Sequence, residues 1–197
     1  MRDRSAFGLL TAATALLASP ALAHSGQGAS GLYAGIMHPL TGLDHVVAMV
    51  AVGLWGGILG RPALWQLPVA FPVFMAIAGA FGVAGLPLPG VEVGIALSGI
   101  VLGAMVLFAV QVPVWTAMTL VAVFALFHGH AHGAELPAAA DPMAYALGFV
   151  LTTGMLHLSG IAIGALGRWP VGRVVVRVSG AAIALAGGAF LTGIAGS

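Results

Sequence analysis

Six apolar segments of roughly 20 residues each follow one another along the chain, separated by Pro, Gly and the few charged residues. About 20 apolar residues is the length that an α-helix needs to cross a bilayer. The runs do not alternate with a period of two, as the strands of a transmembrane barrel would. The sequence therefore predicts an all-α integral membrane protein, a bundle of six transmembrane helices. The predicted spans are 42–59, 67–86, 91–110, 114–130, 143–166 and 174–194.

The scarcity of charge supports this fold class and excludes several functions. Only 6% of the 197 residues are charged and 60% are hydrophobic, whereas soluble domains carry about 25% charged residues. So little charge argues against nucleic-acid binding and disorder. The chain has no Cys, which excludes disulfides and thiolate metal sites. It also has no Lys, so it contains neither a nucleotide-binding Walker A loop nor a Schiff-base amine, and we expect no ATPase activity from this chain.

The first 23 residues have the pattern of a secretory signal peptide. Arg2 and Arg4 precede an apolar stretch over residues 6–18. The sequence Ala21-Leu22-Ala23 follows, with the small residue Ala at its first and third positions. The apolar stretch is too short to span a bilayer. We expect cleavage between Ala23 and His24, which leaves residues 24–197 as one six-helix domain. An uncleaved signal anchor is the alternative.

The distribution of arginine predicts the orientation in the membrane. With the N-terminus of the cleaved chain in the periplasm, the remaining arginines, Arg61, Arg168, Arg173 and Arg177, all fall on the cytoplasmic side. This is the bias that the positive-inside rule demands. The sequence thus predicts a multi-pass protein of a bacterial inner membrane.

Histidine and acidic residues concentrate on the opposite, periplasmic side. A first cluster, His38, Asp44 and His45, lies where the first span begins. Pro39 and Gly42 make an unbroken helix unfavourable there, so the preceding segment can fold over the start of the helix and bring His38 back toward the other two. Ionisable residues are costly inside a membrane, which favours a functional role over a merely interfacial one.

A second cluster closes the fourth span. On a helix, His128, His132 and Glu135 fall at i, i+4 and i+7 and share one face, while His130 points nearly opposite. Imidazole together with carboxylate suits first-row divalent ions such as nickel, cobalt, zinc or copper, whereas magnesium and calcium prefer oxygen ligands. The two clusters together predict a site for a divalent transition metal.

Three further polar residues have different interpretations. Glu92 opens the third span beside both clusters and is a further candidate ligand, although an acid at a helix start is also favoured by the helix dipole. Asp141 precedes Pro142 and is more typical of an N-cap. His157 lies deep in the fifth span. There it is either a second binding position for the ion or a histidine hydrogen-bonded between helices.

Two motifs resemble those of the HupE/UreJ family of hydrogenase and urease accessory proteins, over essentially the whole chain. They read His38-Pro39-x-x-Gly42-x-Asp44-His45-x-x-Ala48-Met49 and Phe127-His128-Gly129-x-Ala131-His132-Gly133-x-Glu135. The resemblance implies a nickel permease, with cobalt as the alternative cargo, and no permanently bound cofactor. It implies metal handling by His38, Asp44, His45, Glu92, His132 and Glu135. Phe71, before Pro72, matches an aromatic position of the family, and His130 is an additional ligand candidate of this sequence.

Two functions of other classes remain open from the residues alone. An intramembrane zinc hydrolase could use His128, His132 and one further His as ligands with Glu135 as the base, although no Glu directly follows the first His. A membrane cytochrome could use histidine pairs as haem ligands. The partners we expect are a divalent metal ion, Ni²⁺ or Co²⁺, and membrane lipid. A homo-oligomer is left open.

Small residues recur four apart in several spans. The pairs are Gly53/Gly57, Gly56/Gly60, Gly99/Gly103 and Gly160/Gly164. This spacing lets membrane helices approach closely and predicts helix packing rather than chemistry.

Overall fold

The computed structural model describes residues 27–136 and 141–193 of the chain. Within these two ranges the protein is helical and has no strand. The helices are α1 (Gln27–Thr41), α2 (Leu43–Leu59), α3 (Ala63–Val83), α4 (Val91–Leu107), α5 (Val114–Ala134), α6 (Pro142–Gly164) and α7 (Pro170–Leu191), with a 3₁₀ turn, Ala165–Arg168, before α7. The predicted signal peptide, with Ala23 and His24 at its cleavage site, lies outside the described residues.

Several of these helices have the length and composition of membrane spans. Helices α3, α5, α7 and the stretch Pro142–Arg168 that contains α6 qualify individually. Helices α1 and α2 qualify only as a pair, which bends by 80°, and α4 is a shorter apolar helix of 17 residues. The described part of the chain thus holds four candidate spans, or five if the bent pair counts as one. An all-helical membrane protein is confirmed, and the count of six spans remains a prediction.

The charged ends of the helices define two ends of the molecule. The histidine end is the one where Asp44 begins α2, Glu92 begins α4 and Asp141 caps α6, and where α5 ends near His132. The arginine end is the one where α2, α4 and α6 finish and where α3, α5 and α7 begin. It carries Arg61, Arg168, Arg173 and Arg177.

Glycine contacts hold the helices close together. The most extensive pairings are α3 with α5, α4 with α7, and α2 with α6. A Cβ added at Gly53 of α2 would collide with the carbonyl oxygen of His157 and lie 3.0 Å from the Cα of Gly160. A Cβ at Gly99 of α4 would lie 3.0 Å from the Cα of Gly187. The predicted packing role is confirmed for the glycines of the four pairs except Gly60, which follows the end of α2 with a φ of +73° and where a Cβ would meet nothing within 4 Å. The packing also fixes His157 against α2.

Candidate metal centre

A sharp break between α1 and α2 brings the first histidine cluster together. Gly42 separates the two helices with an extended backbone, φ −88° and ψ 104°, and the helix axes meet at 80°. The hydroxyl of Thr41 donates a hydrogen bond to the carbonyl oxygen of His38 at 2.9 Å, which caps the last turn of α1. Because of this bend, the rings of His38 and His45 both reach the ring of His132 on α5, at centroid distances of 4.7 and 4.0 Å.

Asp44 orients the imidazole of His45. Its Oδ1 accepts the backbone N–H of His45 at 2.9 Å and lies 3.0 Å from Nδ1 of the same residue. An ionised carboxylate can only accept, so Nδ1 carries the proton and Nε2 carries the lone pair. That Nε2 is buried and has no hydrogen-bond partner among the described residues. A carboxylate that fixes a histidine in this way is the usual second partner of a metal-binding imidazole.

Gly42 leaves room for this pair. A Cβ at this position would lie 2.9 Å from Oδ1 of Asp44 and 3.0 Å from Nδ1 of His45. The extended backbone of Gly42 is open to any residue, so the requirement for glycine at this position is one of space.

His38, His132 and Glu135 form the cluster that most resembles a metal site. Each offers one ligand atom, and these atoms all lie within 4.8 Å of one another. His38 Nε2 lies 3.4 Å from Oε2 of Glu135, and neither ring nitrogen of His132 has a hydrogen-bond partner in the described part of the chain. Ligand atoms about 2.1 Å from a common ion are roughly 3–4 Å apart from one another. A small inward movement of these three side chains would therefore let all three bind one metal ion.

Ser98 of α4 fixes the proton of His128. The Ser98 hydroxyl donates its single hydrogen to the carbonyl oxygen of Ile95 at 2.6 Å and lies 2.9 Å from Nε2 of His128. It can therefore only accept from His128, so Nε2 is protonated and Nδ1 has the lone pair. His128 is fully buried, and no described residue bonds to this Nδ1. Its ring lies 4.6 Å from that of His45.

An open cavity leads to these histidines from the histidine end. It has a volume of about 290 Å³, and its walls include His38, Asp44, His45, Glu92 and Glu135. Glu92 and Glu135 are exposed, Asp44 is half-buried and His45 is buried. Carboxylates thus line the entrance and imidazoles lie deeper, an order that suits capture of a cation followed by loss of its water shell.

A second group of side chains continues the polar series into the bundle. The ring of Phe71 is fully buried and lies 5.6 Å from the rings of both His128 and His157. His157 is only 1% exposed and neither of its ring nitrogens has a partner within the described residues. The hydroxyl of Thr153, one turn earlier in α6, is likewise buried and unpaired there. Buried polar groups are normally hydrogen-bonded, so these atoms require an explanation.

The structure does not bring every predicted residue to the cluster. His130 lies on the other face of α5, where its Nε2 contacts the carbonyl oxygen of Leu86 at 2.7 Å. Asp141 caps α6 by accepting the backbone N–H groups of Met143 and Ala144, both at 2.9 Å. The interpretation of Asp141 as an N-cap is confirmed.

Two residues near the cluster were not found from the sequence. The ring of Tyr145 of α6 lies near that of His38, with ring centroids 5.9 Å apart and the ring planes tilted by 60°, and its hydroxyl has no partner in the described ranges. Ser98 orients His128. Apart from Glu92, Ser98 is the only polar side chain in α4, and a lone hydroxyl in an apolar helix is the signal that could have revealed it.

Comparisons with known proteins identify the family of the chain. The model of the family described as "HupE / UreJ protein" matches residues 12–190. The protein HupE of Rhizobium leguminosarum bv. viciae is 46% identical over 189 residues, which cover 95% of this chain and 99% of that relative. No solved structure matches the chain. The helical membrane fold, the two motifs at the histidine end and these matches together show that the chain belongs to the HupE/UreJ family of hydrogenase and urease accessory proteins.

Proposed function

We propose that this protein is an inner-membrane permease that takes up a divalent transition metal from the periplasm, with nickel as the first candidate. The observation that carries the proposal is a set of buried imidazole nitrogens on His45, His128 and His132 that have no hydrogen-bond partner among the described residues. They lie beside three carboxylates at one end of an apolar bundle. Unpaired polar atoms cost free energy unless a ligand satisfies them. Three carboxylates also make a dipositive ion tolerable at low dielectric.

The donor set favours nickel or cobalt over the abundant hard cations. Imidazole nitrogens and carboxylate oxygens suit ions late in the first transition row, and magnesium would lose oxygen ligands without compensation. Mixed nitrogen and oxygen coordination also permits release, whereas a closed thiolate cage would retain the ion. Nickel is placed before cobalt because the chain belongs to a family of hydrogenase and urease accessory proteins.

We propose a path that runs inward from the cavity past Phe71. The ion would pass from the trio His38, His132 and Glu135 to the lone pairs of His45 and His128. His157, whose ring also lies 5.6 Å from that of Phe71, and Thr153, one turn earlier in α6, would supply the next binding position. His130 has no part in this path because it faces away from the cluster.

The energy for uptake would come from outside the chain. The membrane potential is worth about 4.6 kcal/mol for two charges at 100 mV, and a proton gradient or consumption of the metal inside the cell are alternative sources. With the histidine end in the periplasm, an interior-negative potential drives the cation inward.

The proposal is tested by nickel accumulation in cells that lack their own uptake systems, at submicromolar nickel and with cobalt, zinc or magnesium as competitors. We expect accumulation that cobalt suppresses and magnesium does not. His45→Ala and His132→Ala should abolish it because each removes a ligand. His157→Ala should retain nickel binding to the purified protein but lose uptake.

His130→Ala is the matched control, since it removes an imidazole from the same helix as His132 but from the opposite face. It should accumulate nickel as the unaltered protein does. Normal uptake by the His45 and His132 variants would refute the site. Absence of uptake by the unaltered protein, shown to be in the membrane, would refute nickel transport.

A further inference from the structure

A second cavity lies at the arginine end, remote from the metal centre. Its volume is about 490 Å³, and it lies between the ends of α2 and α6, the residue Ala109 after α4, and the start of α7. Three arginines line it, Arg168 from the 3₁₀ turn and Arg173 and Arg177 from α7. All three are exposed at the surface, so the cavity is accessible from outside the protein.

The charges around this cavity are not balanced by the described protein. No acidic residue is among those that line it. Asp44, Glu92, Glu135 and Asp141 are all at the histidine end, and the described residues give none of these three arginines a carboxylate within 4.0 Å. Three like charges around one cavity repel one another, and an anion between them would relieve that repulsion.

The position of Arg173 strengthens the argument. It lies in the first turn of α7, where the partial positive charge of the helix dipole disfavours a cation, and that turn contains no acid. The positive-inside rule accounts for arginines on one side of the membrane, but it does not require them to converge on a cavity at a helix N-terminus. A phosphate between Arg173 and the backbone N–H groups of this turn would be favoured both by the guanidinium charge and by the helix dipole.

The surroundings of the cavity indicate where the anion comes from. Val171, Val174 and Trp169, next to the arginines in sequence, are exposed apolar residues, with exposed fractions of 76%, 61% and 49%. The guanidinium of Arg168 lies 3.8 Å over the ring of Trp169. Basic cavities between membrane helices on the cytoplasmic side, bordered by apolar and aromatic residues, suit the head group of an anionic lipid.

We propose that the cavity lined by Arg168, Arg173 and Arg177 is a binding site for a phosphate group, supplied by the head group of an anionic phospholipid. Guanidinium forks match phosphate oxygens in pairs, and such charge-assisted bonds are stronger than neutral ones. The site goes beyond metal transport and does not depend on the identity of the ion carried.

The test uses the purified full-length chain in neutral detergent, to which phosphatidylglycerol, phosphatidylcholine or sodium phosphate is added. Retained lipid is counted by native mass spectrometry, and the Tm is measured in parallel. We expect phosphatidylglycerol to be retained and to raise the Tm, and phosphatidylcholine to do neither. Arg173→Gln and Arg177→Gln should each weaken retention about 10-fold or more, because a hydrogen bond between charged groups is lost.

Arg61→Gln is the matched control, because Arg61 is an exposed arginine at the same end that does not line the cavity. It should retain phosphatidylglycerol normally, and an equal loss of lipid retention in Arg61→Gln would overturn the site in favour of diffuse charge attraction.

Arg177→Lys tests whether lipid retention is lost through misfolding, because it keeps the positive charge of the side chain. It should bind phosphatidylglycerol more weakly than the unaltered protein but better than Arg177→Gln. Stabilisation by sodium phosphate that also displaces the lipid would support a phosphate site with a soluble source. Equal retention of the two lipids with no effect of phosphate would overturn the inference. Normal nickel uptake by the arginine variants would separate this site from the metal path.

Discussion

Single protons decide which atoms of the histidine cluster can bind a metal. Asp44 accepts a hydrogen bond from the protonated Nδ1 of His45, and Ser98 accepts one from the protonated Nε2 of His128. Each contact leaves the other ring nitrogen as a buried lone pair. The groups that orient the proposed ligands therefore matter to the proposed site as much as the ligands themselves.

Removal of the Ser98 hydroxyl should weaken metal binding without removing a ligand. In Ser98→Ala, the proton of His128 is no longer fixed to Nε2, so Nδ1 is not held ready to coordinate. Loss of such a supporting contact typically costs about 10–100-fold in metal affinity. The measurement is the nickel concentration that gives half-maximal uptake.

Two variants control this experiment. Ser179→Ala removes a hydroxyl that only donates to the carbonyl of Val175, and it should leave uptake unchanged. Ser98→Thr restores the hydroxyl and should recover affinity in part. An unchanged half-maximal concentration in Ser98→Ala, with normal amounts of protein in the membrane, would disprove the role of Ser98.

Much of the candidate site could be predicted from residue spacing, and the remainder could not. A helix places His128, His132 and Glu135 on one face, so their convergence follows from local geometry. Ser98 and Tyr145 lie on other helices, and their contacts with histidines depend on how the helices pack. Nothing in the local sequence specifies that packing.

At the scale of helices, glycine determines how close the elements approach. A Cβ at Gly160 of α6 would collide with the carbonyl oxygen of Val50 and lie 2.9 Å from the backbone nitrogen of Leu54. Lipid offers no hydrophobic gain for helix association, so such close backbone contact is a main source of stability in a membrane bundle.

Gly160→Ala should therefore destabilise the bundle. Because neither backbone can move aside without disturbing other contacts, we expect a loss of about 1–3 kcal/mol in the free energy of unfolding, as for other overpacked sites. Thermal unfolding of the protein in detergent measures it. Gly154→Ala is the control in the same helix, since a Cβ there meets nothing within 4 Å. Equal Tm values for the two variants would contradict this account of the packing.

The number and order of helices α2 to α7 could be predicted from the sequence, but the residues at which these helices begin and end could be predicted less well. Each of the six predicted segments corresponds to one helix from α2 to α7. Helix α3 starts at Ala63 and continues through Pro68 and Pro72, whereas the predicted span began at residue 67. Neighbouring helices can satisfy the backbone groups that a proline leaves unpaired. Helix α1 was not predicted because it lacks a long apolar run. Its sequence is rich in Gly and contains Pro39 near its end at Thr41.

At the scale of the whole molecule, the separation of acids from arginines among the described residues predicts a fixed orientation in the membrane. The chain has no Cys, so single cysteines can report on each end without background. In intact cells, Ala84→Cys at the histidine end should react with a membrane-impermeant maleimide. Gln111→Cys at the arginine end should react only after the cells are opened. The reverse pattern would place the metal centre in the cytoplasm and refute uptake from the periplasm.

The same separation of charge has a consequence for where the ion is captured. A dipositive ion that arrives at the histidine end meets carboxylates first, whereas one that arrives at the arginine end meets guanidinium groups first and is repelled. At equal concentrations and zero membrane potential the two opposite fluxes must still be equal, so the fixed charges set the ease of capture at each end and not the direction of net flow. We expect flow from the histidine end to saturate at a lower metal concentration than flow from the arginine end.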